Sequence, residues 1–355
     1  MDDPVVPAYP QPIRTRIRQL TLSLADLPLD PPVFLAPLAG ITDLPFRRVV
    51  SGFGAGLVVS EMIASQDVVQ GRPLARAKAE LGFGEAATSV QLAGREAHWL
   101  AEAAKYCEGQ GAKIIDFNMG CPAKRVTAAG GNGACGSALM REPDHAISLI
   151  EAVIKAVSVP VTLKMRLGWD DESHNAAEIA RRAEVAGVQM VVIHGRTRCQ
   201  FYKGKADWAA IARVKEAVSL PVIANGDITS PAKAAEALRL SRADGVMVGR
   251  GAQGRPWVLA EIAHELFGAP APQIPTGAAL ADLVVTHYEA MLSFYGTELA
   301  LKVARKHLGW YLDAAGADPV LRAKALTLNE PSAVISTLVS ALRDAPHPAP
   351  ERYAA

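Results

Sequence analysis

The four cysteines, Cys107, Cys121, Cys135 and Cys199, form no Cys-x-x-Cys pair, and their spacings match no zinc template. Few cysteines in a chain of 355 residues predict free thiols and no resident metal. Long apolar runs are also missing; none approaches the roughly 20 residues that a membrane-crossing helix needs. No membrane partner is therefore expected. The opening Met1-Asp2-Asp3-Pro4, with Pro7, Pro10 and Pro12 behind it, has neither the basic start nor the apolar stretch of a secretory signal. It is expected to be an extended lead-in over residues 1–30, with the protein cytoplasmic. Excess charge of one sign is absent too, with 37 Lys and Arg against 36 Asp and Glu. A nucleic-acid partner must therefore be argued from local features. Nothing points to an obligate protein partner.

What is present is apolar material, half of all residues, arranged in a repeat. Eight short β-branched segments recur: Val33–Ala36, Leu57–Ser60, Thr88–Gln91, Ile114–Phe117, Pro160–Lys164, Met190–His194, Pro221–Ala224 and Gly245–Val248. Helical patterns such as Ala97–Glu108, Pro143–Val157, Ala176–Ala186 and Pro231–Leu240 lie between them. Continuous rather than alternating apolar strands mean burial on both faces, hence a parallel sheet under helices. The strict β-α alternation predicts an α/β fold, a closed (β/α)8 TIM barrel, with an open doubly wound sheet as the alternative. The stretches Ala156–Lys164 and Ala217–Asn225 echo each other, each a helix end, a stopping proline and a buried strand. The barrel is placed at 31–265. Ala269–Pro275 reads as a linker. Beyond it only helical periodicity remains, over Ala279–Tyr295, Thr297–Ala314, Pro319–Thr327 and Glu330–Arg343, a C-terminal all-α bundle at 276–345.

In barrel enzymes the carboxyl ends of the strands carry the chemistry. Those ends read Ala36-Pro37, Glu61, Gln91, Asn118, Lys164, His194, Asn225 and Gly249-Arg250. The last two loops, Asn225-Gly226-Asp227 and Gly249-Arg250-Gly251, combine glycines that admit an anion with an arginine that can clamp it. They suggest a phosphorylated ligand. Gln91 and Lys164, an amide and a fixed cation, suit the polar edge of a flavin, where negative charge collects on reduction. A Rossmann-type resident dinucleotide is not expected. Cys121 follows the strand Ile114-Ile-Asp-Phe-Asn-Met119 in a tight turn, where a mostly protonated thiol can act as a general acid. Taken alone, it could equally be a small packed hydrophobe.

Several longer motifs carry a resemblance. Ala36-Pro-Leu-Ala-Gly-Ile-Thr-Asp43, Ser60-Glu-Met62, Val90-Gln-Leu-Ala-Gly94 and Asp116-Phe-Asn-Met-Gly-Cys-Pro-Ala-Lys124 resemble the bacterial tRNA-dihydrouridine synthases. So do Val161–Arg166, His194-Gly-Arg-Thr-Arg198, Pro221–Asp227 and Met247–Trp257, in order along the chain. Ala-Gln-Gly-Arg-Pro-Trp257 and Ala304–Tyr311 point to the B-type subfamily. The resemblance implies FMN as cofactor, NADPH as reductant and a D-loop uridine of tRNA (U17 for the B type) as substrate. It also implies that Pro37, Leu38 and Ala39 pass along the flavin, and that Gln91, Lys164 and His194 contact its ring or ribityl chain. Asn225, Gly226, Asp227, Gly249 and Arg250 would hold the phosphate end. Cys121 would be the acid and Asn118 would bond the uracil.

Tethering tRNA requires basic surface. Lys302, Arg305 and Lys306 share one helical face, with His307 beside them, and Arg196, Arg198, Lys203 and Lys205 would rim the barrel mouth. Trp257, Trp310 and Tyr311 read as packing. Two departures from the family pattern stand out. Leu38 replaces the usual methionine, a volume-conserving change. The segment Thr127–Gly136 is longer and richer in glycine, and predicts a loop that is mobile without RNA and closes over the uridine. The alternative function is an FMN-dependent oxidoreductase acting on a free pyrimidine or another small molecule. A second is an RNA-binding regulator with a vestigial site, against which Cys121, Lys164, His194 and Arg250 stand intact.

Overall fold

The computed structural model describes residues 22–81, 88–128, 134–343 and 345. The expected lead-in over residues 1–21 and the centre of the glycine-rich loop, 129–133, lie outside the described residues. Eight parallel strands form at Val33–Leu35, Leu57–Val59, Thr88–Ala93, Ile114–Met119, Val161–Arg166, Met190–His194, Val222–Asn225 and Gly245–Val248. The eighth pairs with the first through Val246 and Val33, and the second pairs with the third through Val58 and Thr88. The sheet is therefore closed, which excludes the open doubly wound alternative. A two-residue strand, Ile63–Ala64, adds to the top of the third.

The period of two divides each strand between two cores. Val33, Leu35, Val90, Leu92, Ile115, Phe117, Leu163, Met165, Val191 and Ile193 face outward and pack beneath the helices. Phe34, Leu57, Val59, Ile114, Met190, Val192, Ile223 and Met247 fill the lower interior of the barrel. Higher up, the inward positions change character to Gln91, Asp116, Asn118, Thr162, Lys164, Arg166 and Asn225, all buried. That change of chemistry along the barrel axis fixes which end can bind a polar ligand.

The amino-terminal end is closed by an element the sequence reading misses. Ser23–Leu24 and Leu27–Pro28 pair as an antiparallel hairpin, and Leu22, Leu24 and Leu29 join the interior core as a plug. The expectation of an extended lead-in is corrected for these residues. Strands of two residues leave no periodicity to detect.

Four helices follow the barrel, Gly277–Tyr295, Thr297–Ala315, Pro319–Thr327 and Pro331–Arg343. Their ends are set by local chemistry. Gly316, left-handed at φ 64°, stops the second, and the Asp318 carboxylate accepts the N–H groups of Val320 and Leu321 to start the third. Their core holds Tyr288, Met291, Leu308, Tyr311, Leu312 and Leu338, and also Trp257 from the end of the barrel. Trp257 and Tyr311 are thus packing residues, as their sequence context suggests. Phe46 of the first barrel helix, Leu44–Gly52, meets His287 and His307 with ring centroids 5.8 and 4.9 Å apart. His307 is therefore buried against the barrel. It does not stand with the cationic face where the sequence reading puts it.

Candidate active site

Register brings the polar residues of the upper barrel side by side. Gln91 lies opposite Asp116, Asp116 opposite Thr162, Asn118 opposite Lys164, and Arg166 and Asn225 both opposite His194. The Lys164 ammonium donates to Asn225 Oδ1 at 2.9 Å, and Asn225 Nδ2 donates to the Met247 carbonyl at 2.7 Å. Burial lowers the Lys164 pKa to about 8, with the Arg166 charge adding to the effect and the Asp116 charge opposing it.

Burial, and then the charges of Arg166, Lys164, Arg196 and Arg250, drive the His194 pKa well below its ordinary value. The ring is neutral at physiological pH. Its Nε2 lies 3.3 Å from Arg196 Nη1, and an arginine only donates, so Nε2 accepts and the proton sits on Nδ1. The mouth is consequently cationic around a neutral imidazole, a field that favours an anionic ligand.

Cys121 sits in a turn clamped from three directions. Asn118 Oδ1 accepts the N–H groups of Gly120 and Cys121 at 3.2 and 3.0 Å. Ser137 donates to the Cys121 carbonyl from both its N–H, at 3.1 Å, and its hydroxyl, at 2.8 Å. The Gly120 carbonyl accepts from Arg166 Nε at 2.8 Å. Arg166 Nη1 donates to the carbonyls of Thr197 and Phe201, tying the Cys121 turn to the loop after the sixth strand. Cys121 as a whole is half-buried. Burial, then the Cys121 charge, pushes the Cys135 pKa up to about 11.

Not every residue expected at the mouth is free to act there. Arg196 does not rim the mouth; it is 1% exposed and forms a bidentate pair with Asp227 at 3.0 and 2.6 Å. It also donates to the carbonyls of Lys203 and Gly204. A buried guanidinium must satisfy its fork of donors, and this one does so on Asp227 of the next loop and on carbonyls of its own. Asp227 accepts in addition from the Ala206 N–H and from Arg250. Burial alone would raise its pKa, but the Arg196 and Ala206 bonds and the Arg196 and Arg250 charges hold it below the usual range. Asp227 thus orients Arg250, which stays largely exposed and stacks 5.4 Å from the Tyr202 ring centroid. Asn118 is committed as well, its Nδ2 donating to Gln91 Oε1 at 2.6 Å, which leaves one N–H for a ligand.

Lys203 and Lys205 are exposed, whereas Arg198 donates to Thr127 Oγ1 at 2.8 Å and lies over the Trp169 ring. On the bundle, Lys302 pairs with Glu298 and Arg305 with Asn329, and only Lys306 reaches the mouth, donating to the Gly40 carbonyl at 3.4 Å. Pro37, Leu38 and Ala39 form the turn beside it, held by Thr42 Oγ1, which accepts the Leu38 N–H at 2.9 Å. Residues that the sequence reading did not single out are Arg166, Ser137, Tyr202, Asp116 and Thr162. Among them, Asp116 had a readable signal, a carboxylate inside an otherwise apolar strand.

The stretch Gly249-Arg-Gly-Ala-Gln-Gly254 does carry Gly-x-Gly-x-x-Gly spacing behind a strand. It is no Rossmann fingerprint. Its residues Arg250–Ala252 form a short 3-10 turn, and Gly254, at φ 72°, lies where a Cβ would meet the Trp310 carbonyl at 2.4 Å. Its last glycine serves barrel–bundle contact.

The family model described as dihydrouridine synthase (Dus) matches residues 34–345. A probable tRNA-dihydrouridine synthase of Rhodobacter capsulatus is 62% identical over 327 residues, 92% of this chain and 99% of the relative. The tRNA-dihydrouridine synthase B of Xanthomonas campestris is 48% identical over 281 residues, 79% of this chain and 83% of the relative. Among solved structures, histamine dehydrogenase from Rhizobium sp. 4-9 matches 73% of the chain with a TM-score of 0.51 at 15% identity. A 2-naphthoyl-CoA reductase matches 71% with a TM-score of 0.54 at 14% identity. The matched parts span 48% and 52% of those two chains, and the likeness is one of fold alone. With the family model covering the barrel and the helices behind it, the chain belongs to the dihydrouridine synthases.

Proposed function

We propose that the chain is a tRNA-dihydrouridine synthase of the B type, reducing a D-loop uridine, U17, to 5,6-dihydrouridine with FMN and NADPH. The observation that carries this reading is the clamped turn that holds a half-buried Cys121 above a cationic barrel mouth. Membership in the family and the names of its relatives agree with it.

The residues present fit the cofactor. Gly226 lies at φ 110° with His194 Cδ2 only 2.8 Å from where a Cβ would stand, and a Cβ on Gly249 would already touch Leu38 Cδ2 at 3.5 Å, so backbone lines the cradle where side chains would fill it. Lys164 spends one donor on Asn225 and keeps others for an electron-rich ring edge. Arg250, steadied by Asp227, and the Asn225-Gly226 turn would hold the phosphate. The Nδ1–H of His194 is a further donor. When bound, FMN supplies the hydride for uracil C6, having taken it from NADPH.

The protein's own part is then to position and to protonate. Cys121 holds a proton on Sγ and delivers it to uracil C5 from the face opposite the cofactor. The remaining N–H of Asn118 suits a uracil carbonyl. A uridine folded within tRNA cannot reach the mouth, so it must be extruded and its neighbours held. Exposed Lys203, Lys205, Lys302 and Lys306 supply cationic surface for the surrounding phosphates.

The test is direct. The purified protein, loaded with FMN, is mixed with NADPH and then with unmodified tRNA, alongside Cys121→Ala. Dihydrouridine formed by the wild type and largely lost in the variant, with flavin bleaching retained in both, supports the proposal. Bleaching with unreduced tRNA but turnover of free uracil would favour the small-molecule oxidoreductase instead.

A further inference from the structure

Asp116 is 3% exposed in the middle of the fourth strand, a carboxylate with no part in the chemistry above. Its neighbours form a line of hydrogen bonds. The Thr162 hydroxyl donates to Oδ1 and Gln91 Nε2 donates to Oδ2, both at 2.6 Å. Gln91 Oε1 then accepts from Asn118 Nδ2 at 2.6 Å, and Asn118 Oδ1 accepts the Gly120 and Cys121 N–H groups.

The line has a direction. A primary amide offers oxygen on one side and N–H on the other, so reversing one member reverses the next. At one end two backbone N–H groups need an acceptor. At the other stands a carboxylate, which only accepts. Were Gln91 turned round, its N–H would meet the Asn118 side that must donate, and the acid turn would face an amide nitrogen where it needs oxygen. Leaving such donors unpaired inside the barrel is costly. Burial raises the Asp116 pKa, against which the Thr162 and Gln91 hydrogen bonds and the charge of Lys164, opposite Asn118 in the register, favour the ionised form that only accepts.

We infer that Asp116 is a positioning residue, fixing the sense of the Gln91–Asn118 hydrogen-bond line and thereby holding the turn that carries Cys121. The inference deepens the proposed function and rests on it for the catalytic meaning of Cys121. Its physical content needs neither cofactor nor RNA.

Two near-isosteric changes test it. In Thr162→Val the carboxylate still accepts from Gln91, so the sense is kept. In Asp116→Asn the new amide can turn its N–H toward the Thr162 oxygen and present oxygen to Gln91, and the Gly120 and Cys121 N–H groups at the far end select that orientation, so the sense is again kept. With both changes the amide loses that outlet and the line is free to reverse. Backbone hydrogen exchange of the full-length protein is read by mass spectrometry on a peptide containing Gly120 and Cys121. The expectation is near wild-type exchange in each single variant and roughly tenfold faster exchange in the double, a non-additive result. The strand Met190–His194 is expected to stay protected throughout. Additive effects, an unaffected double variant, or loosening that spreads across the barrel would each overturn the inference. If exchange behaves as expected but Cys121→Ala still reduces tRNA normally, the positioning stands and the catalytic reading falls.

Discussion

The Tyr295 hydroxyl donates to Asp43 Oδ2 at 2.9 Å, joining the bundle to the barrel across 252 residues of sequence. The same carboxylate accepts the Phe46 N–H through Oδ1 and so caps the helix that begins directly after the Pro37–Thr42 turn. One acidic group therefore anchors the bundle and starts the element beside the proposed cofactor turn.

That anchor gives a pH-dependent prediction. Burial raises the Asp43 pKa from 3.8 to about 6, with the Phe46 and Tyr295 hydrogen bonds opposing it. A carboxyl whose folded pKa lies above its unfolded one binds more protons when folded. Its ionisation thus costs stability as pH rises through that window, fully so above about 6. Tyr295→Phe removes a donor to the charged form and should enlarge that cost. Destabilisation of about 2 kcal/mol is expected near pH 8 and about 1 kcal/mol near pH 5, from denaturant melts. Equal losses at both values would mean that Tyr295 contributes through packing alone.

Gly136 is the second test. It sits at φ 61°, and an added Cβ would lie 2.9 Å from the Cys121 carbonyl and 2.9 Å from Val126 Cγ1. Gly136→Ala must push on the turn that carries Cys121. Because displacement of a reacting group by about 1 Å can cost roughly 100-fold, tRNA-dependent reoxidation of the flavin should slow by 10- to 100-fold. Bleaching by NADPH should be unchanged in a stopped-flow experiment. If both half-reactions slow together, the turn is not specific to the protonation step.

The eight strands and the helices between them were legible because each strand is a continuous apolar run, and burial on both faces leaves that mark whatever the tertiary partners are. The polar strand ends were legible for the same reason, as breaks in those runs. Partnership was not. Nothing local distinguishes Arg196, buried against Asp227, from Lys203 seven positions later, which is exposed. His307 falls beside Lys306 in sequence but faces Phe46, because adjacent helical positions point about 100° apart. The Asn118 amide could be matched to a ligand from its motif, yet its oxygen serves the backbone of the very turn it precedes.

Lys164 offers a prediction about cofactor affinity. Its pKa, lowered from 10.5 to about 8 chiefly by burial, means that the folded chain sheds this proton before the unfolded chain does. Holding the charge costs stability below about 8, and the cost is relieved as pH rises from there toward 10.5. For an anionic ligand the consequence is opposite. FMN binding to the apo-protein, followed by fluorescence quenching, should weaken as pH rises through about 8, and Lys164→Met should bind weakly with that step abolished. A step that survives in the variant would assign the titration to another group.

The corrected placement of Arg196 separates two basic residues of the same loop. Arg196→Met leaves Asp227 partly buried without its bidentate partner. Breaking a buried pair costs about 3–5 kcal/mol, and the solvent still reaching Asp227 reduces this to about 2–3 kcal/mol. Lys203→Ala should leave the melting temperature untouched. If its exposed ammonium meets an RNA phosphate, the plot of log affinity for tRNA against log salt should become shallower by about one unit, as one fewer counterion is released. Arg196→Met, assayed where it remains folded, should lower affinity through the disturbed loop without that change of slope. A reversed pattern, with the slope falling for Arg196 and holding for Lys203, would put the guanidinium back on the RNA.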